Sequence, residues 1–352
     1  MERLQMFKPR EPEEFQFKDI IYSKNEMIAT ITFNRPQVHN TYSTLAIHEM
    51  IQAVQDVAND DRIGVLVLTG AGDKAFCTGG DVKEYAGPLS TYPRDFYKWG
   101  GAFNVLHVML RNLGKPSIAR LNGMAVGGGN EFNMACDLAI AAEHATISQV
   151  GTRVGSVAAG GATQFLPLFV GDRRAREILL LCEEITAPQA LEWGLINQVV
   201  PSLTDEKGNF LTCELSEKKK LLKEGKARID LRPLDEAVGK MARKLLEKFP
   251  ECTRYTLQSL NYWKDMVWAA TFGHARDWLT VHYTSAEPYE GMNAFVEKRP
   301  PGYRELREKA GRGESSEFLW GPYVQRCPQC GANGIPSQFA YCGVCGEKIE
   351  RS

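Results

Sequence analysis

NGMAVGGGNEFNMACD, residues 122–137, follows the apolar run PSIARL (116–121) and precedes another, LAIAAE (138–143). The segment reads as a strand, a turn on three glycines, a helix and a second strand. Glycines at a strand-to-helix corner let backbone amides approach a ligand closely and adopt positive φ. The helix N-terminus adds a dipole that favours negative charge. AFCTGGDVKEY (75–85) has the same plan. Either loop is suited to cradle an oxyanion, and either alone also suits a purely structural corner. Neither is a phosphate loop, because GGGNEF lacks both the lysine of GxxxxGK[ST] and the phasing of GxGxxG.

Working outward, DIIYSKNEMIATITFN (19–34) reads as two β-runs around a polar turn, closed by Arg35-Pro36. Thr44–Asn59 spaces its apolar residues helically, and GVLVLTG (64–70) is a glycine-bounded buried strand. TAPQALEWGLINQVVP (186–201) gives a helix ended at Gly194 and a strand ended at Pro201. The class is therefore α/β. After Pro201 comes a charged insertion, residues 203–233, which reads as exposed or amphipathic. Helical spacing runs from Leu234 to about Tyr283, and the polar, glycine-containing stretch 306–326 reads as a linker.

The 352 residues are 43% hydrophobic and 24% charged, enough for a large core, and the formal net charge is −1. No general field draws nucleic acid or an anionic membrane, so an anionic ligand must be held locally. The polar N-terminal stretch MERLQMFKPREPEEF carries no apolar leader, and no apolar run approaches the roughly 20 residues of a bilayer crossing. A cytoplasmic location is expected. Of nine cysteines, five stand alone and four form CPQC (327–330) and CGVC (342–345), eleven residues apart. Two such knuckles suit a tetrahedral Zn²⁺ held by Cys327, Cys330, Cys342 and Cys345, with two disulfides or an iron site as alternatives. Four protein ligands leave no open position, so the zinc is expected to be structural, in a ribbon that meets a protein partner or the ligand site.

Together the two glycine loops resemble those of the crotonase (enoyl-CoA hydratase/isomerase) superfamily, which read roughly AFxxGxD and NGxAxGGGxE. The resemblance covers about residues 15–200 and resumes near 234–303. It implies a spiral of ββα units over residues 1–202 and a helical trimerisation region over 234–305, while the cysteine spacing gives the zinc ribbon over 327–352. The resemblance further implies a homotrimer or dimer of trimers and an acyl-CoA thioester as substrate. The amides of Gly80 and Gly128 would form the oxyanion hole that stabilises a thioester enolate. Arg35, Ala75, Cys77 and Lys83 match CoA-binding positions. Phe295 and Lys298, in AFVEKR, match a C-terminal segment that reaches a neighbouring subunit's CoA.

Simple hydratases of the superfamily use two glutamates. Glu131 fills the first position, but ISQVGTRVGS (147–156) places Gly151 where the second belongs. SQVGTRVGSVAAGG resembles naphthoate synthases and ring-opening β-ketoacyl-CoA hydrolases, with Ser156 and Tyr283 at polar active-site positions. Ala158, however, replaces their aspartate. GAGDKAFCTGG, GSVAAGGATQFLPL and the insertion resemble the branch of 6-oxocyclohex-1-ene-1-carbonyl-CoA hydrolases, from which Asp81 departs in place of asparagine. That branch implies water addition followed by hydrolytic ring opening, with Glu131 handling water and Tyr283 binding the ring oxo group. Asp81 and Glu84 are candidates for a second acid/base, with helix capping as the plainer role. A generic enoyl-CoA hydratase, a naphthoate-synthase-like enzyme and a non-catalytic scaffold remain alternatives.

Overall fold

A computed structural model describes residues 7–349. The outermost parts of the first and last domains drawn above, and the first six residues of the polar N-terminal stretch, lie outside these. The chain opens with an antiparallel hairpin, β1 (Ile20–Asn25) and β2 (Ile28–Phe33), in which Ile20 faces Phe33. Helix α1 (Thr44–Asn59) starts at Ser43, whose hydroxyl accepts the Ala46 amide at 3.0 Å. Its Ile47, Met50, Val54 and Val57 are buried as a stripe.

From there one unit repeats: a strand in a large sheet, a short strand in a small sheet, then helix. The first full copy is β3 (Val65–Gly70), β4 (Ala75–Cys77), the turn α2 (Val82–Glu84) and α3 (Pro93–Arg111). The second is β5 (Ser117–Leu121), β6 (Met124–Val126) and α4 (Gly128–Ala135). The third is β7 (Leu138–Ala142) and β8 (Thr146–Ser148), with α5 (Ala162–Val170) and α6 (Asp172–Leu181). Strand β9 (Ile185–Thr186), α7 (Ala187–Glu192) and β10 (Gln198–Val200) close the spiral. The large sheet runs β1-β2-β3-β5-β7-β10, parallel from β2 onward, and the small one runs β4-β6-β8-β9. The corner between sheets is too tight for side chains: a Cβ on Gly123 would overlap the Lys74 carbonyl.

The charged insertion is docked rather than free. Its β11 (Leu203–Thr204) and β12 (Arg228–Ile229) pair antiparallel around α8 (Leu215–Lys223), and Lys218 meets Glu143 at 2.8 Å with both side chains largely buried. Helix α9 (Arg232–Leu246) covers the large sheet with Leu234, Val238 and Ala242. The 33-residue α10 (Pro250–His282) sets Trp268 and Phe272 against Phe165 of α5. Helix α11 (Ala286–Glu297) follows, then α12 (Tyr303–Gly311). The last corrects the reading of 306–326 as linker throughout, since its first turns are helical and supported by a Glu305–Lys309 pair. The C-terminal piece adds the hairpin β13 (Gln325–Arg326) and β14 (Asn333–Ile335).

Candidate active site

Both glycine loops open onto one cavity of about 780 Å³. Tyr42 and Gly80 form a parallel bridge that uses the amides of Tyr42 and Asp81, so it leaves the Gly80 amide uncommitted. Gly128 is the first residue of α4, where a helical amide has no acceptor in its own helix. Gly127 turns the chain at φ 55° to put it there. The loops touch, since a Cβ on Gly79 would lie 3.3 Å from the Gly128 nitrogen. Two unspent N–H groups therefore border the same space.

Glu131, one helical turn into α4, is 6% exposed and lines that cavity. The Ala162 amide donates to its Oε1 at 3.2 Å, which favours the anion, but burial dominates and pushes its pKa from 4.5 up to about 7. Tyr283, buried against Phe96 at a 4.0 Å ring separation, places its hydroxyl 3.1 Å from Ser156 Oγ. Gly151 and Ala158 also line the cavity, and among the described lining residues only Asp81 and Glu131 are acidic.

The enoyl-CoA hydratase/isomerase family matches residues 23–229. The chain is 36% identical to the 6-oxocyclohex-1-ene-1-carbonyl-CoA hydrolase of Geobacter metallireducens, over 79% of this chain and 78% of that protein. Its identity to the enzyme of the same name from Thauera aromatica is 35%, over 78% of each. This protein is a crotonase-superfamily enzyme. An enoyl-CoA hydratase structure from Mycobacterium avium subsp. paratuberculosis shares the fold at a TM-score of 0.66 and 23% identity, covering 81% of this chain and 98% of that one.

The crotonase cavity gathers some of the expected residues and not others. Lys83, Phe295 and Lys298 line it. Glu84 does not line it: its Oε2 accepts the Thr44 amide at 2.9 Å and the Thr44 hydroxyl at 2.6 Å. The carboxylate thus caps α1 instead of acting as a second acid/base. Asp81 lines the cavity but is engaged twice, accepting from the Lys83 amide at 3.1 Å and from Arg35 Nη2 at 2.9 Å. Arg35 is consumed by that pair and by the Thr41 carbonyl, and is absent from the described lining. The Ala75 and Cys77 side chains are fully buried in β4, where the Cys77 thiol is pushed up to about 12 by burial. Neither is among the described lining residues.

Among the lining residues that the sequence reading did not single out are Tyr42, Tyr85 and Arg153. Arg153 joins Lys83 and Lys298 as a cation suited to phosphate. Its signal was its place in the turn that holds Gly151.

The four C-terminal thiols all lie within 4.8 Å of one another. The Cys327–Cys345 and Cys330–Cys342 sulfurs are 3.6 and 3.7 Å apart. A disulfide needs about 2.05 Å, whereas a tetrahedron with metal–sulfur bonds of about 2.3 Å sets sulfurs roughly 3.8 Å apart. In each knuckle a backbone amide donates to the first cysteine's sulfur at 3.4 Å. The donor set fits zinc.

Proposed function

We propose that this chain opens the ring of a cyclic oxo-enoyl-CoA, first adding water across the conjugated double bond and then hydrolysing a ring C–C bond. The observation that carries this reading is a single deeply buried carboxylate, Glu131, in an apolar cavity where a simple hydratase sets two. The names of the relatives from Geobacter and Thauera support the substrate class.

On this reading the thioester oxygen lies between the Gly80 and Gly128 amides, which act on the charge that appears only as the enolate forms. Glu131, poised near neutrality, takes a proton from water. Tyr283, with Ser156 beside it, donates to the ring oxo group. The negative charge that develops there when the second water attacks is then met by a fixed donor. Lys83, Arg153 and Lys298 hold the CoA phosphates at the mouth.

The four thiolates bind Zn²⁺ as a structural ribbon with no open position. The exposed Tyr255, Tyr262, Trp263 and Met266 on α10 support residues 234–305 as the trimer-forming region. Among the described residues no helix is long and apolar enough to cross a membrane. The scattered unpaired cysteines suit a reducing, cytoplasmic compartment. Side-by-side turnover of 6-oxocyclohex-1-ene-1-carbonyl-CoA and crotonyl-CoA tests the substrate. Consumption of the cyclic compound supports the reading, and turnover of crotonyl-CoA alone refutes it.

A further inference from the structure

Phe272, Arg276, Leu279 and Tyr283 recur every three or four residues along α10 and its C-cap, and turn one face of that helix onto the cavity. Three of the four carry rings or an aliphatic chain; the fourth is a guanidinium. The other Lys and Arg side chains among the described lining residues, Lys83, Arg153 and Lys298, come from other walls and are taken up by the CoA phosphates. Arg276 is held by α3, along which α10 runs, with the Asn261 side chain donating to the Arg111 carbonyl at 2.6 Å. A Cβ on Gly100 would lie 3.0 Å from Arg276 Cγ, so this glycine of α3 leaves room for the arginine stem. The guanidinium sits 4.0 Å over the Tyr97 ring. Asp277 engages it weakly, at 3.4 Å from both Nε and Nη2, through a side chain that is 64% exposed. Nη1 has no hydrogen-bond partner among the described residues. Gly100 is one helical turn before Phe103, and a Cβ on Gly160 would overlap both Phe103 and the Glu131 carboxylate. The arginine therefore stands on the Glu131 side of the cavity, where the acyl group reacts.

We propose that Arg276 binds the carboxylate that ring opening creates, so that the site is built for a dicarboxylic acyl-CoA as its product. This rests on the ring-opening reading of the cavity. In that step the oxygen of the second water bonds to the ring oxo carbon, and the bond from this carbon to the thioester α carbon breaks. The electron pair stays on the α carbon as the enolate, which takes up the water's remaining proton. The oxo carbon becomes a carboxylic acid and loses its proton to solvent. A neutral ring thus ends as an open arm with one negative charge, in an apolar cavity that already holds Glu131. Left unpaired there, the charge would be costly to bury and opposed by the Glu131 carboxylate. A guanidinium presents a fork of N–H donors that matches a carboxylate. With its side chain 24% exposed, Arg276 can hold the arm without stripping either ion of all its water.

Calorimetric titration of the full-length protein with heptanedioyl-CoA and heptanoyl-CoA, which differ only at the far end of the acyl chain, tests the site without relying on turnover. The wild type should bind the dicarboxylic compound at least about 10-fold more tightly. Arg276→Met keeps an unbranched stem, and it should lose or reverse that preference while holding heptanoyl-CoA as before. Thermal melting verifies the fold, and Arg276→Gln is measured in the same way if the methionine variant does not fold. A variant that weakens both ligands alike assigns Arg276 to packing and overturns the proposal. A wild type that binds the two compounds equally, or a variant that keeps the wild-type preference, overturns the carboxylate site alone. A wild type that binds neither overturns the acyl-CoA reading and the site with it.

Discussion

Replacing Glu131 by glutamine keeps its shape and its place against the Ala162 amide but removes the charge that burial resists. Between 4.5 and about 7 the folded protein holds the Glu131 proton while the unfolded chain has released it. The native state thus binds more protons in this window, so stability is greatest below about 4.5 and falls as pH rises through about 7. At about 1.4 kcal/mol per pH unit the loss amounts to about 3 kcal/mol. The same ionisation creates the base, so kcat should climb as pH passes about 7 while stability declines. In Glu131→Gln the stability decline across this window should vanish, and kcat should drop by at least about 10²-fold. Chemical denaturation at pH 5, 7 and 8.5, paired with kcat profiles, measures both. A variant that keeps near-wild-type kcat, or the wild-type slope of stability against pH, refutes the assignment.

Gly128→Ala puts a methyl group into the Tyr42 hydroxyl; steady-state kinetics should show kcat reduced about 10²–10³-fold through a displaced oxyanion donor. Glu84→Ala removes the cap on α1, so denaturation should register a loss of about 1 kcal/mol while kcat is kept; a collapse of kcat with stability intact would restore it as an acid/base. Cys327→Ser should lower the zinc content below the one ion per chain that atomic absorption should find in the wild type. Because the thiol site is closed, ring-opening activity should survive that loss.

The spiral was legible because two of its strand-to-helix turns, Gly79-Gly80 and Gly127–Gly129, carry glycines that stand next to each other in sequence. Glu131 was legible for a related reason, as a residue one helical turn past Gly128. The cysteine knuckles are local and carry their geometry in their spacing. What escaped depends on contacts between turns of the spiral. Nothing local in NTYSTL tells that Tyr42 bridges Gly80, or that its hydroxyl stands against Gly128. Glu84 read as a candidate base because its loop is chemical, and only the fold shows the α1 N-terminus 40 residues earlier in the chain claiming its carboxylate. Arg35 and Asp81 each looked available, yet they neutralise one another at 2.9 Å. The insertion read as exposed or amphipathic, and only the fold shows Lys218 docking it on Glu143.

The central claim is that one buried carboxylate and two glycine amides serve a hydrolytic ring opening. Mass spectrometry of the product formed from 6-oxocyclohex-1-ene-1-carbonyl-CoA by the full-length protein tests it directly. The account predicts a ring-opened acyl-CoA that has gained two waters and carries a new carboxylate. A product that has gained one water with its ring intact, or unchanged substrate, contradicts it.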